Sequence, residues 1–368
     1  MSEQSLNSMS VNVLRFPLAI MILVRHVLYM PVVDGGVYEL LNKSLYGFIE
    51  EYGVSFYFFI AGYVFFYNIV SFDRETYFYK LKKRIKTIVV PYLIWNTIAI
   101  VLTVCKKSVV KYVYSNAGGP TDLHLSIINI LKCYWNYDGL LVDNHSVNYG
   151  TPLNSPLWFL RSLMILALLS PLLYRILKSG FGVIFVILTG CLWLAVRPCE
   201  PSSAADYMFY QCVWSMFFFS WGGVMSINKI STDNIFGVKF KVSILLYVIF
   251  GLLSAILISK YPTVSSIIKG VAMITGVVFA FNLANRAVRC GFRAGPKVIS
   301  AGIFIYMSHI LFAGALFDLI SLILPPTTEY MMIAVKLLTV ILLCGLLMAL
   351  FSVLQRYMPK LLNVIIGR

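Results

Sequence analysis

Charge is what this chain of 368 residues has least of: only 12% of its residues are Asp, Glu, Lys or Arg, with 15 acids against 30 bases. A soluble domain carries about a quarter charged residues, so a water-facing globular body of this length is excluded. Histidines are scarce, 4 in all, and the 7 cysteines form no CxxC pair and have no histidine at metal-ligand spacing. Neither a zinc site nor a disulfide framework is expected. No small-residue cleavage site follows the first apolar run, which is therefore read as a retained helix and not a signal peptide. Internal repeats and low-complexity tracts are absent. The net charge of +15 would suit nucleic acid, but the basic residues fall in short segments between apolar runs and build no basic domain, so no nucleic-acid partner is expected.

What fills the chain instead is hydrocarbon: 60% of residues are hydrophobic and the mean hydropathy is +0.83. These values predict an all-α polytopic membrane protein. Runs of about 20 residues, enough to cross a bilayer, can be marked at 11–30, 46–70, 87–104, 157–177, 181–197, 208–227, 241–259, 267–285, 298–323 and 331–354. The expectation is a bundle of about ten transmembrane helices in a single domain, residues 1–368, with both termini cytoplasmic. Under that topology the inner segments collect Arg74, Lys80, Lys82, Lys83, Arg84 and Lys86, then Arg175 and Lys178, Lys229, Lys239 and Lys241, the stretch from Arg286 to Lys297, and the tail. The outer segments, with Lys43, Lys269 and a few others, hold fewer, as the positive-inside rule requires. The long outer connection, about 105–155, carries His124, Trp135 and His145 and is read as a partly ordered lid.

Ionisable groups inside apolar spans are costly and mark polar pathways or reaction sites. Arg15 and His26 both lie in the first span, VNVLRFPLAIMILVRHVLYM. Eleven helical steps return two side chains to within about 20° of one face, roughly 16 Å apart along the axis. An imidazole there can accept a hydroxyl proton or merely hydrogen-bond at the interface. Arg15 can hold an anionic or carbonyl group, or snorkel to the surface. The run YKLKKRIKT, with Lys83, Arg84 and Lys86, reads either as a topological signal facing lipid headgroups or as an attractor for a phosphate-bearing ligand. Trp158 and Arg161 share a face at the start of the fourth span and are candidate substrate contacts, or an interfacial belt pair. His309, deep in the ninth span, needs a polar partner, for which Tyr306 one turn earlier is the candidate; both are counted with the substrate-binding residues.

Taken in order, the Arg15-x10-His26 pair, the segment GVSFYFFIAGYVFF, the basic KKRIKTIVVPYL, PLWFLRSLMILALLSPLL and IFIYMSH resemble the acyltransferase 3 family of integral membrane O-acyltransferases across nearly the whole chain. The resemblance implies transfer of an acyl group, acetyl by prevalence, from cytoplasmic acetyl-CoA or another short acyl-CoA to a sugar hydroxyl of a cell-surface or lipid-linked glycan. It implies residence in a bacterial cytoplasmic membrane, no permanently bound cofactor, and Arg15 and His26 as the essential pair, with His26 the proton acceptor. The family's RxxR motif aligns with Arg84 to Thr87, so the second arginine is absent here and Lys83 or Lys86 would have to stand in for it; Ala61 replaces the serine usual before the second-span glycine. A transporter or flippase of a lipid-linked sugar is the main alternative, although no inverted repeat supports it.

Overall fold

The computed structural model describes residues 3–28, 36–69, 71–113, 126–136, 150–199, 201–230 and 238–368. Among these residues the chain is all-helical, as the apolar runs require in lipid, where a helix satisfies its own backbone. In order the helices are α1 (Glu3–Leu28), α2 (Gly36–Phe48), α3 (Tyr52–Phe66), α4 (Arg74–Arg84), α5 (Val90–Val113), α6 (Ile127–Trp135), α7 (Trp158–Leu168), α8 (Ser170–Lys178), α9 (Gly182–Val196), α10 (Ala204–Ile227), α11 (Phe240–Leu257), α12 (Pro262–Arg289), α13 (Pro296–Ile323), α14 (Glu329–Tyr357) and α15 (Pro359–Ile365). Among the described residues six stretches are long and apolar enough to cross a membrane, or seven if the bent α7–α8 pair is one span. The remaining marked runs are helical too, but shorter or more polar.

Local chemistry explains the departures from the marked spans. The run 157–177 is broken by 68° between α7 and α8. Pro171 has no N–H to give the carbonyl of Ala167, which instead accepts from the Ser170 hydroxyl at 2.7 Å. The run 46–70 is also interrupted: α2 stops at Phe48, Glu51 adopts a left-handed φ of 69°, and the apolar helix starts only at Tyr52. In contrast, α4 runs on into α5 through one π-helical turn, Ile85–Val89. Asp73 caps α4 by accepting from the Thr76 N–H at 2.8 Å, and this bond holds the Asp73 carboxyl below its usual range.

The first helix is the axis of the bundle, flanked by α3, α12, α13 and α14. Large aromatic side chains, among them Phe58, Phe59, Phe218, Phe219, Phe281 and Phe304, belong to one continuous core and are almost completely buried. Helices α3 and α10 cross at glycine: a methyl group at Gly62 would lie 1.9 Å from the Phe219 carbonyl oxygen, and one at Gly222 would lie 2.0 Å from that of Phe59. Small residues at such crossings let two backbones touch, which is how membrane helices associate without a hydrophobic drive. The opposite faces carry bare aliphatics, such as Leu337, Ile341 and Leu346 on α14, a surface suited to lipid.

Candidate active site

His26 sits in the last turn of α1. Its imidazole is exposed, yet its ring centre lies 5.2 Å from that of His309, which is completely buried. A side chain of the central helix that is both exposed and against a core residue lines an opening at that end of the described bundle. His309 Nδ1 lies 2.9 Å from the carbonyl oxygen of Tyr306 and 3.1 Å from that of Ile305. Carbonyls only accept, so Nδ1 carries the hydrogen and Nε2 is left as a lone pair. That Nε2 is buried and has no hydrogen-bond partner among the described residues. Sequence reasoning offers the Tyr306 hydroxyl as the partner of His309. The structure corrects this: the hydroxyl donates to the Pro156 carbonyl, and it is the main chain of Tyr306 that receives His309.

At the other end of the same face, Arg15 is half-buried. Its carbonyl oxygen accepts from the Tyr57 hydroxyl at 2.5 Å, and its guanidinium is close enough to Arg84 and Arg368 to be repelled by both. Gly302 admits this backbone: a methyl group there would sit 3.2 Å from Phe16 Cα. Tyr57 bridges the two ends, since its ring packs 6.0 Å from Tyr306, which in turn lies 6.5 Å from His309. Tyr57 falls inside the quoted second-span segment, but an aromatic run of that density gives no sign of which ring faces the site.

Arg368, within electrostatic range of Arg15, lines a pocket of about 560 Å³ together with Tyr79, Lys82, Lys83, Lys86, Thr87 and Gly367. Two of the three basic residues singled out from sequence, Lys83 and Lys86, thus reach one cavity. Arg84 turns away from it, laying its guanidinium over the Phe65 ring at 5.1 Å on the side of Arg15.

The fourth-span pair is not brought to the histidines. Trp158 packs on Phe58 and Trp214, with ring centres 5.6 and 5.2 Å away. Arg161 is buried and spends its guanidinium on protein: it donates to the Trp135 carbonyl, to the Gly150 carbonyl at 2.8 Å and to Gln211 Oε1 at 2.6 Å. It therefore clamps both flanks of residues 137–149 to α7 and α10. His124 and His145 of the long outer connection lie outside the described residues.

An ionic cluster escapes sequence reasoning altogether. Lys269, assigned above to an outer segment, is 1% exposed inside α12 and pairs with Glu50 at 2.8 Å and Glu51 at 3.5 Å. Arg25 joins Glu50, and Arg197 joins Glu51 at 2.6 Å, so the residue adjacent to His26 is tied to α12 and α9 through two acids. The signal available was the adjacent acids Glu50 and Glu51 within a marked span, since buried charges require partners.

Comparison with known proteins gives one family: a family model described as an acyltransferase domain matches residues 9–354. No curated protein and no solved structure matches the chain.

Proposed function

The chain belongs to the acyltransferase 3 family of membrane acyltransferases, and from that premise we propose that it moves a short acyl group, acetyl by default, from cytoplasmic acyl-CoA to a sugar hydroxyl of a cell-surface or lipid-linked glycan. The observation that carries this reading is the polarity of α1. At one end Arg15 lies within electrostatic range of Arg368, on the wall of a cavity lined by cations. The other end presents an exposed imidazole beside a buried histidine whose Nε2 has no hydrogen-bond partner among the described residues.

The phosphates of acyl-CoA dock among Lys82, Lys83 and Lys86, drawn by charge with no acid lining the cavity among the described residues. The pantetheine arm extends past Arg15, whose guanidinium has no side-chain acceptor among the described residues and so can bind a carbonyl or amide of the arm. Arg15 and His26 are separated by roughly 16 Å of helix, which an extended arm spans. The acceptor alcohol arrives from the other side. His26 takes its proton as the oxygen attacks the thioester carbonyl; the carbon–sulfur bond then breaks, and the CoA thiolate leaves with that proton. His309 Nε2 accepts a hydrogen bond from the alcohol or from the His26 ring, and so orients the reacting pair. Arg161 acts as a structural clamp and Trp158 as part of its packing, leaving acceptor recognition to the opening around His26. Direct transfer is preferred, since no Ser or Cys side chain hydrogen-bonds to either histidine among the described residues; Ser308, next to His309, gives its hydroxyl to the Phe304 carbonyl.

The test is label transfer from radiolabelled acetyl-CoA into the glycan fraction of membranes bearing the wild-type protein, Arg15→Ala or His26→Ala. Transfer lost in both variants, with the glycan still present at normal abundance, is the expected result. Loss of the glycan itself would favour transport, and unchanged labelling in both would overturn the reading.

A further inference from the structure

The inner cavity contains a residue that neither the motif nor the family match assigns. Position 87, where the RxxR pattern calls for its second arginine, is Thr87. A threonine brings no charge to a phosphate, and its hydroxyl is buried here with no partner among the described residues. Thr87 is nonetheless shaped to receive something. Pro91 withholds the N–H that would ordinarily bond the Thr87 carbonyl, and the helix passes this point as a π turn, a feature often found at functional sites.

The segment after α15 is set against that carbonyl. A methyl group on Gly367 would lie 2.4 Å from the Thr87 carbonyl oxygen, and Gly367 holds a φ of +71°, so a residue with a side chain is disfavoured there twice over. The turn is a complete Schellman cap: Gly367 N–H bonds the Val364 carbonyl at 3.2 Å and Arg368 N–H bonds that of Asn363 at 2.7 Å. The helix itself is fastened by the Trp95 indole N–H, which donates to the Ile365 carbonyl at 2.9 Å, and by buried Leu362, Ile365 and Ile366. These contacts deliver the exposed Arg368 side chain to the wall of the cavity, next to Thr87 and within repulsive range of Arg15.

We propose that Arg368 is a ligand for the phosphates of acyl-CoA, supplying from the far end of the sequence the guanidinium that position 87 lacks. The inference rests on the acyl-CoA reading given above. Like-charged groups gathered without an acid are costly unless a polyanion joins them. A guanidinium grips phosphate with two parallel bonds, which the three lysines cannot do. A lipid headgroup offers the same phosphate chemistry, so the experiment must separate the two sources.

The full chain in nanodiscs of purely neutral lipid, and again with anionic lipid added, would be assayed for CoA binding by calorimetry and for acetyl-CoA turnover. Arg368→Ala should weaken CoA binding and raise KM for acetyl-CoA roughly ten- to a hundredfold, with kcat retained, in both lipid compositions. Arg368→Lys should recover only part of the loss. Gly367→Ala, which displaces the arginine without removing it, should reproduce the defect. Adding Thr87→Arg to Arg368→Ala should restore binding. Equal CoA affinity in wild type and Arg368→Ala would overturn the proposal while leaving the acyl-CoA reading intact. A defect seen only with anionic lipid would assign Arg368 to headgroups and equally overturn it. If the wild-type chain binds no CoA, the underlying reading fails instead.

Discussion

Replacing His26 by Ala separates chemistry from folding in this protein, because the side chain is exposed and makes no hydrogen bond among the described residues. An exposed side chain without polar partners changes stability by no more than about 0.5 kcal/mol on removal, so the melting temperature in detergent should hardly move. The rate should fall steeply. A positioned general base contributes about 10²- to 10⁴-fold, or about 2.7–5.4 kcal/mol of barrier. The same exposure predicts chemical rescue: free imidazole can enter the opening that His26 lines and restore part of the transfer. His309 gives the matched control. It is completely buried behind His26, so His309→Ala opens a space that external imidazole cannot reach, and its defect should resist rescue. The assay is label transfer from acetyl-CoA to the glycan fraction, with and without added imidazole, alongside intrinsic-fluorescence melting. Transfer in His26→Ala within threefold of wild type would refute the base assignment. Rescue of His309→Ala but not of His26→Ala would reverse the order of the two histidines.

Gly62→Ala places a carbon 1.9 Å from the Phe219 carbonyl oxygen, so α3 and α10 must part by about 1.5 Å to reach ordinary contact at 3.4 Å; overpacking of this kind costs about 1–3 kcal/mol, seen as a lower melting temperature, and an unchanged value would disprove the crossing. Lys269→Met leaves Glu50 and Glu51 short of a buried partner and should destabilise by about 3–5 kcal/mol, with Lys269→Met/Glu50→Gln recovering much of it; a double variant no better than the single would show that the acids do not need the lysine. Arg161→Met strands the acceptors of Trp135, Gly150 and Gln211 at about 1–3 kcal/mol each, and should lower thermal stability while leaving CoA affinity within twofold. A large loss of CoA affinity with normal melting would return Arg161 to the ligand.

Membrane residence, the helical class and the family could all be read from sequence, because hydropathy and the order of polar landmarks within apolar runs are local properties. The Arg15 and His26 spacing belongs to the same category: it depends only on helical periodicity, and α1 is continuous over both residues. What sequence could not supply was partnership across helices. Lys269 looked like an outer-loop cation because nothing nearby in sequence neutralises it, and its acids lie more than two hundred residues away. Arg161 looked like a ligand contact because its acceptors, mostly main-chain carbonyls, have no signature in a string of residues. The breaks at Leu169 and Glu51 were hidden for a related reason: the apolar composition runs on across both, and only the arithmetic of missing donors at Pro171, or the pull of Arg197 and Lys269 on Glu51, ends the helix. These cases share one physical cause. In hydrocarbon every polar group must find a partner, so a lone charge in an apolar run signals that a partner exists, without saying where. Arg25 and His26, adjacent in sequence, show both outcomes side by side: the first is bound to Glu50, while the second is exposed and packs its ring beside that of His309. Their different fates follow from helix geometry, since neighbours on a helix point about 100° apart. One ties α1 to its surroundings and leaves the other directed at the opening, which is the arrangement a base needs if its helix is to stay still while a proton moves.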